Sequence, residues 1–368
     1  MKKLLILFLL IPFCISAMYG QTSFSGISGD FVTDSKPPEA ELFSPNGGEV
    51  YYCNAPFPVT WSADDDTLGL LPVSIYLSVD GGNSYGLVAS SLPDLDSATI
   101  NCYEITNTAR LKVVVQDTFG LEGFDESDAL FSLEGFYVEL KAFLEGPFAA
   151  TEMQTQLNDL GILPLYQPYN APPWNYTGTE SVAAIPGSQV VDWVLVELRE
   201  ATEASAATPS TIVSQQAAFI LDNGTIAAFD GSGLLKFGLE VNTSLFAVLW
   251  HRNHLGIMSA YPMSHYGNLY SYDFTNGENK VFGGCIGHKS IGSGIWGMIA
   301  GDGNPDGHIN NADKVEVWSP QSGQSGYLPG DFDMNGEVNN PDKNDLWVEN
   351  CAAGSQVPDH VKTCHVPE

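Results

Sequence analysis

Two stretches near the C-terminal end of the chain, GDGNPDGHINNADKVEVW (301–318) and GDFDMNGEVNNPDKNDLW (330–347), align without a gap at an offset of 29 residues, with eight of 18 positions identical. Counted from the first aspartate, oxygen-bearing side chains stand at positions one, three, five, nine and twelve. They are Asp302, Asn304, Asp306, Asn310 and Asp313 in the first copy, and Asp331, Asp333, Asn335, Asn339 and Asp342 in the second. Position six is glycine in both, Gly307 and Gly336, where the chain must turn sharply. Position seven, His308 or Glu337, needs to offer only its backbone carbonyl. Position eight is apolar, Ile309 and Val338, and is expected to let the two loops pair back to back. A loop of about 12 residues surrounds a hard cation that wants about six to eight oxygens in this way. Three carboxylates per loop favour calcium over a monovalent ion, so two Ca2+ are expected. The Met334 thioether and the His308 imidazole stand outside the ligand positions, which argues against a softer metal. Without metal the aspartates repel one another, so calcium should supply much of the folding free energy of this segment.

The flanks separate the possible relatives. Glycine-rich sequence precedes each loop and helical sequence follows it, NADKVEVW and NPDKNDLW, with Pro341 suited to a first helical turn. An EF-hand carries a helix on both sides and usually a glutamate at position twelve, and thrombospondin-type calcium repeats lack the apolar helix. A loop followed by one helix, duplicated, resembles a type I dockerin, and the resemblance covers residues 301–350. It implies a small α-helical calcium-binding module over 298–352, followed by a tail over 353–368, and a cohesin-like partner on another surface protein. Dockerins carry hydroxyl residues just before the last ligand, where this chain has Asn311-Ala312 and Asn340-Pro341. That departure points to a different surface protein, or to docking against the chain's own β-domain.

The opening MKKLLILFLLIPFCISAMYGQ reads as a secretory signal peptide over residues 1–20, with a flexible Ser/Gly-rich leader over 21–37. Its apolar run is shorter than the ~20 residues that span a bilayer, so no membrane span is expected in the mature chain. A secreted, extracellular or cell-surface location follows. Lysines and arginines total 14 against 44 acidic residues, and loss of Lys2 and Lys3 takes the formal charge from -30 to -32. Such a surface repels a phosphate backbone, which excludes nucleic acid as a partner. Oxidation after export makes Cys53–Cys102 and Cys351–Cys364 plausible disulfides and leaves Cys285, expected to be a buried, inert thiol.

The remaining chain reads as mainly β: two β-sandwich domains, 38–134 and 135–297, ahead of the loop pair. In the first, short strands recur between turn signals, with Trp61 expected inside. SPNGGE, the Trp61 strand and LSVDGGNSY resemble the immunoglobulin or fibronectin III-like modules of bacterial surface proteins. SVDGGNSY (78–85) also matches the Asp-box pattern of sialidases, in which Asp80 and Gly82 shape a hairpin turn. The three arginines of the whole chain are too few for the cluster that clamps a sugar carboxylate. The segment from Gly135 onward alternates or runs apolar between Asn-Gly, Asp-Gly and Pro signals. It is similar to a β-sandwich module found near the C-terminus of secreted proteins of Gram-negative bacteria.

Three other constellations carry possible chemistry. Tyr166, Tyr169, Trp174 and Tyr176 crowd a Pro-rich connection, where flat rings either stack on a sugar or plug the end of the sandwich. His251 and His254 flank a turn at Arg252-Asn253, where packing at a strand end is favoured and convergence on a ligand is the alternative. Asp192, Glu197 and Glu200 could supply the carboxylate pair a glycosidase needs, although alternation on a strand predicts that they face water. No catalytic serine pattern, zinc motif or phosphate-cradling glycine loop is present. The function expected is therefore that of an exported, non-catalytic modular protein that attaches or interacts at the cell surface. Carbohydrate binding by the second sandwich, with a place in polysaccharide catabolism, and a glycoside hydrolase or its accessory are the alternatives.

Overall fold

The computed structural model describes residues 34–358 apart from Asn54, Tyr103 and Ser232. The expected signal peptide, most of the expected leader and Cys364 lie outside the described residues.

In the first module, alternation of apolar residues buries one face of each strand. Phe57–Asp64 turns Phe57, Val59 and Trp61 inward, and Thr106–Asp117 does the same with Ala109, Leu111, Val113 and Val115. Glu39–Ser44, Phe57–Asp64 and Ser97–Ile100 form one sheet. Val50–Tyr52, Phe131–Glu134, Thr106–Asp117, Leu68–Ser78 and Gly86–Leu92 form the other, with Glu122–Glu126 also paired to Thr106–Asp117. Both sheets close on one core around Trp61. Cys53 and Cys102 are joined as a disulfide. The Ser78–Tyr85 hairpin is a self-contained turn. Asp80 accepts from the Ser84 amide at 2.9 Å and hydroxyl at 2.6 Å and from the Ser78 hydroxyl at 2.7 Å. Those bonds, led by the Ser84 hydroxyl, hold its carboxyl down at about 2.

The second module is also built from two sheets around one core. Ile226–Ala228, Ile212–Leu221, Val190–Ala201, Ser244–Trp250 and Ile257–Met258 make an antiparallel sheet in that order. Leu235–Phe237, Phe136–Lys141, Leu269–Asp273 and Ser264–Tyr266 make the second, in which Phe136–Lys141 runs parallel to Leu269–Asp273. The central strand Val190–Ala201 is buried on both faces. This corrects the expectation that its charged residues face water. Asp192 and Glu197 are buried, and Glu200, half-buried, instead accepts from the Asn242 and Thr243 amides at 2.7 and 2.6 Å. The burial is sustained by pairing: Arg199 donates to Glu197 at 2.7 Å, and Gln215 donates to the second Glu197 oxygen at 2.7 Å. The thiol of Cys285 is a second correction. It is exposed, because Gly283 in the left-handed region, at φ 87°, turns the chain out into a one-turn helix at Gly284–Ile286.

The loop pair packs directly on this second module. Met334 of the second loop and Val357 beyond it belong to the sandwich's own core. Leu255, from the turn after Ser244–Trp250, packs with Ile299, Ile309, Trp347 and Ala353. Among the described residues no helix is long and apolar enough to cross a membrane.

Candidate metal centre

Each loop winds so that backbone amides point at its own first and last carboxylates. Asp302 accepts from the Asp306 amide at 3.1 Å and the Gly307 amide at 3.0 Å. Its counterpart Asp331 accepts from Asn335 at 3.0 Å and Gly336 at 2.9 Å. Asp313 accepts from the Asn304 amide at 3.3 Å and the Asn310 amide at 2.8 Å, with Gly303 adding a bond at 2.9 Å, and Asp342 accepts from Asp333 at 3.0 Å and Asn339 at 2.8 Å. The same amides address the same carboxylates in both copies, so the repeat is one of geometry as well as of letters. The glycines at position six have φ of 83° and 90°, a conformation that favours glycine.

The side chains inside the loops follow the same register. Asp306 accepts from the His308 amide at 2.9 Å, and Asn335 accepts from the Glu337 amide at 2.8 Å. Asn304 donates to Asp306 at 3.3 Å, and Asn335 donates to Asp333 at 2.9 Å. Asp302, Asp313, Asp331 and Asp342 are all buried, whereas Asp306 is exposed, which makes the second loop the tighter of the two.

In that second loop, Asp331, Asp333 and Asp342 each bring one carboxylate oxygen within 4.8 Å of the others. Oxygens about 2.4 Å from a common calcium lie up to about 4.8 Å apart, so this spacing fits the ion. The Asn339 Oδ1, at position nine, is buried with no hydrogen-bond partner among the described residues. An orphaned acceptor beside three carboxylates is what a hard cation would satisfy. Burial first, with repulsion between the carboxylates added to it, raises Asp331, Asp333 and Asp342 to about 6. Burial likewise raises Asp302 well above the carboxylate range, helped by Asp313 and Asp306.

Two crossed contacts tie the copies together. Trp318, from the helix Asp313–Trp318 after the first loop, donates Nε1 to the Asn339 carbonyl of the second at 2.9 Å. Trp347, from the helix Asp342–Trp347 after the second loop, donates to the Asn310 carbonyl of the first at 2.9 Å. Lys343 lies over the Trp318 ring and Lys314 over the Trp347 ring, repeating the exchange. Position eight departs from expectation. Ile309 and Val338 are both fully buried, but they do not pair with each other. Ile309 exchanges bonds with Ala352 and Ala353, whereas Val338 does so with Gly323 and Gln324. Each loop thus pairs with the segment that follows the other loop's helix.

A buried polar turn holds the pair on the sandwich. Asp192 receives Arg252 Nε at 2.9 Å, His251 Nε2 at 3.2 Å and the Tyr327 hydroxyl at 2.7 Å. Burial opposes its ionisation, but Arg252, His251 and Tyr327 together outweigh burial and hold its carboxyl below the ordinary range. Arg252 reaches the Leu328 carbonyl at 2.5 Å and stacks on Tyr327. Asn253 donates to the backbone carbonyl of Asp331 at 2.7 Å, which links this turn to the first aspartate of the second loop. The two histidine rings do converge, with Nδ1 atoms 3.0 Å apart, but neither belongs to a cluster of three metal-ligating side chains among the described residues. Packing and hydrogen bonding at a strand end is the role the geometry gives them. On the far side, Asn350 donates to Glu145 at 2.7 Å and to the Ala300 carbonyl at 2.9 Å, and Lys289 bridges Glu145 and Asn350. None of this cradle was legible as such in the sequence. WHRNH could have flagged it, as four polar side chains in a turn after an apolar strand.

The aromatic connection does not present one flat face. Tyr169 is fully buried and donates to the Trp193 carbonyl at 2.7 Å, and Tyr176 is buried against Glu180. Trp174 packs edge-on against Tyr169, and Tyr166 is the exposed ring of the four. A cavity of about 200 Å³ lies beside Trp174, walled by Trp250, Pro173 and Pro305 and lined by Glu197, Arg199 and Gln215. Cys351 is exposed, and its expected partner Cys364 lies outside the described residues.

No protein-family model matches the chain, and no curated protein matches it. Among solved structures it is similar to the fibronectin(III)-like modules of Clostridium thermocellum CbhA, at 9% identity over 64% of this chain and 93% of that one, with a TM-score of 0.21. It is also similar to the FN1-FN3 domains of chicken CNTN1, at 10% identity over 65% of this chain and 64% of that one, with a TM-score of 0.22. At such TM-scores neither likeness says more than the strands and cores already described.

Proposed function

We propose that this is an exported, non-catalytic β-protein whose dockerin-like C-terminal loop pair takes up two calcium ions and so locks onto the second sandwich. The stiffened end then serves attachment or protein–protein interaction at the cell surface. The observation that carries this reading is the second loop: three carboxylate oxygens within 4.8 Å of one another beside the orphaned Asn339 Oδ1. The first loop supports it by repeating the amide-to-carboxylate register. Its Asp302, Asn304, Asp306, Asn310 and Asp313, with the His308 carbonyl, would hold one ion. Asp331, Asp333, Asn335, Asn339 and Asp342, with the Glu337 carbonyl, would hold the other. Bound calcium would supply two positive charges against three carboxylates and remove the repulsion that adds to burial in raising their pKa values. The remaining surface at Asn311, Asn340 and Pro341 is exposed and is where a cohesin-like or other surface protein would meet the pair.

Hydrogen exchange on the mature chain tests the reading. Calcium should slow the amides of Gly303, Asp306 and Gly307 and of Asp333, Asn335 and Gly336, all of which donate to ligand carboxylates. Exchange that ignores calcium there would sink it. An enzyme would be indicated instead if turnover of a glycan were found and lost in Glu197→Gln.

A second reading, glycan binding, is favoured by the cavity between Trp174 and Trp250, where aromatic walls meet the Glu197, Arg199 and Gln215 side chains. A glycan array comparing the protein with Trp174→Ala decides it: a sugar signal lost in the variant supports it, and no signal in either ends it.

A further inference from the structure

We propose a third hard-cation site, in the first module, formed by Asp34, Asp65 and Asp117 and suited to calcium. It is independent of the loop pair and more than 180 residues away in sequence from it. Three separate segments bring the carboxylates together. Asp117 ends the strand Thr106–Asp117, Asp65 follows the strand Phe57–Asp64, and Asp34 lies on the strap that leads into Glu39–Ser44. The two turns are held side by side, since the Thr118 amide donates to the Thr67 carbonyl at 3.0 Å. The strap passes so close to Glu122–Glu126 that any side chain at Gly123 would collide with the Pro38 carbonyl. One carboxylate oxygen from each aspartate lies within 4.8 Å of the other two, the same spacing as in the second loop.

Acidic residues gather on surfaces without binding anything, and the deciding observation is at Asp117. Its side chain is 6% exposed. The Phe119 and Leu121 amides both donate to Oδ1, each at 2.8 Å, which fixes the carboxylate and leaves Oδ2 over. That Oδ2 is buried and has no hydrogen-bond partner among the described residues. A buried carboxylate oxygen with nothing to accept from is costly, and two further carboxylates beside it make the position worse. The nearest lysine on the strap does not relieve it, because Lys36 pairs with Glu39 at 3.1 Å. Asp34 and Asp65 are arranged by Thr67, whose amide donates to Asp65 at 2.7 Å and whose hydroxyl lies 2.7 Å from Asp34 and 2.8 Å from Asp65, sharing its one proton between them. The set is all oxygen, three carboxylates with a hydroxyl beside them, which is the chemistry of a hard divalent cation. A calcium ion here would pin the N-terminal strap to the end of the first sandwich.

The test uses the full mature chain with calcium as the probe. Hydrogen exchange should slow on calcium addition in peptides covering residues 63–68 and 115–123, and native mass spectrometry should count one ion fewer in Asp117→Asn. Asp34→Asn, on the strap and outside the core, should lose the same ion and the same protection, which guards against a folding defect in the first variant. Both variants should keep calcium protection in residues 301–342, and an Asp302→Asn/Asp331→Asn variant should keep it in 63–68 and 115–123. The proposal is overturned if calcium leaves 63–68 and 115–123 unchanged while the loop pair responds. It is equally overturned if Asp34→Asn and Asp117→Asn bind as many ions as the parent.

Discussion

His254 is fully buried and accepts the Gly146 amide on Nε2 at 3.2 Å, so its proton sits on Nδ1 and faces His251. His251 then accepts on Nδ1 and donates from Nε2 to Asp192. Neither ring has room for a second proton beside Arg252, and burial first, then these neighbouring charges, keeps His254 far below the ordinary histidine value. Burial also lowers His251, against the pull of Asp192. Both folded pKa values lie below those of the unfolded chain, so around pH 6.5 the unfolded state binds more protons. The stability these rings contribute is present above pH 6.5 and is lost as the pH falls. With calcium saturating, urea unfolding should weaken from pH 7 to pH 5 by up to about 1.4 kcal/mol per pH unit for each ring. Chelation reverses the sign for the second loop. Asp331, Asp333 and Asp342, raised to about 6, contribute stability that is full below pH 3.8 and lost as the pH rises through 6. A calcium-free protein whose loop helices strengthen from pH 4 to pH 7, followed by circular dichroism, would contradict this. Residue-scale chemistry of this kind was poorly legible in the sequence. Asp192 and Glu197 read as outward-facing by alternation, but their strand is central in its sheet and covered on both faces. Their partners, Arg252 and Arg199, are two of the three arginines, and only the fold shows which carboxylate each one meets.

At the scale of elements, the spacing of acidic and amide side chains in the loops was legible because each loop draws its own carboxylates together locally, whatever the rest of the chain does. The crossed assembly of the two copies was not, since position eight carries no mark of which segment it pairs with. Those crossings give a specific expectation. Trp347→Phe keeps an aromatic ring but removes the indole N–H and its bond to the Asn310 carbonyl, and should cost about 1 kcal/mol or more in urea unfolding of the calcium-loaded protein. Trp318→Phe should cost about as much through Asn339. Changes near zero in both would mean that the helices do not clasp opposite loops. Gly146→Ala probes the seat of the second loop, because a side chain there would collide with the Phe332 carbonyl. A loss of about 1–3 kcal/mol is expected, within the range for overpacking. The two-sheet character of both modules followed from alternation and turn signals, but the parallel pairing of Phe136–Lys141 with Leu269–Asp273 depends on a contact over 130 residues that no local pattern records.

Across the whole molecule, the loop pair and the second sandwich share buried residues, so calcium at the proposed loop sites would be coupled to the sandwich core. At those proposed sites, calcium at about 100 times its dissociation constant would add roughly 2.7 kcal/mol per site to whatever unfolds with the loops. Because Met334 and Val357 lie in the sandwich core, the thermal midpoint reported by buried Trp193 should rise with calcium along with the helical signal. Asn253→Ala, which cuts the bond to the Asp331 carbonyl, should shrink that rise at Trp193 more than at the helices. The proposed function turns on whether the two loops are metal sites. The most direct measurement is a native mass spectrum of the full mature chain in calcium beside its Asp302→Asn/Asp331→Asn variant. The account predicts two fewer calcium ions on the variant. An equal number on both chains would contradict it.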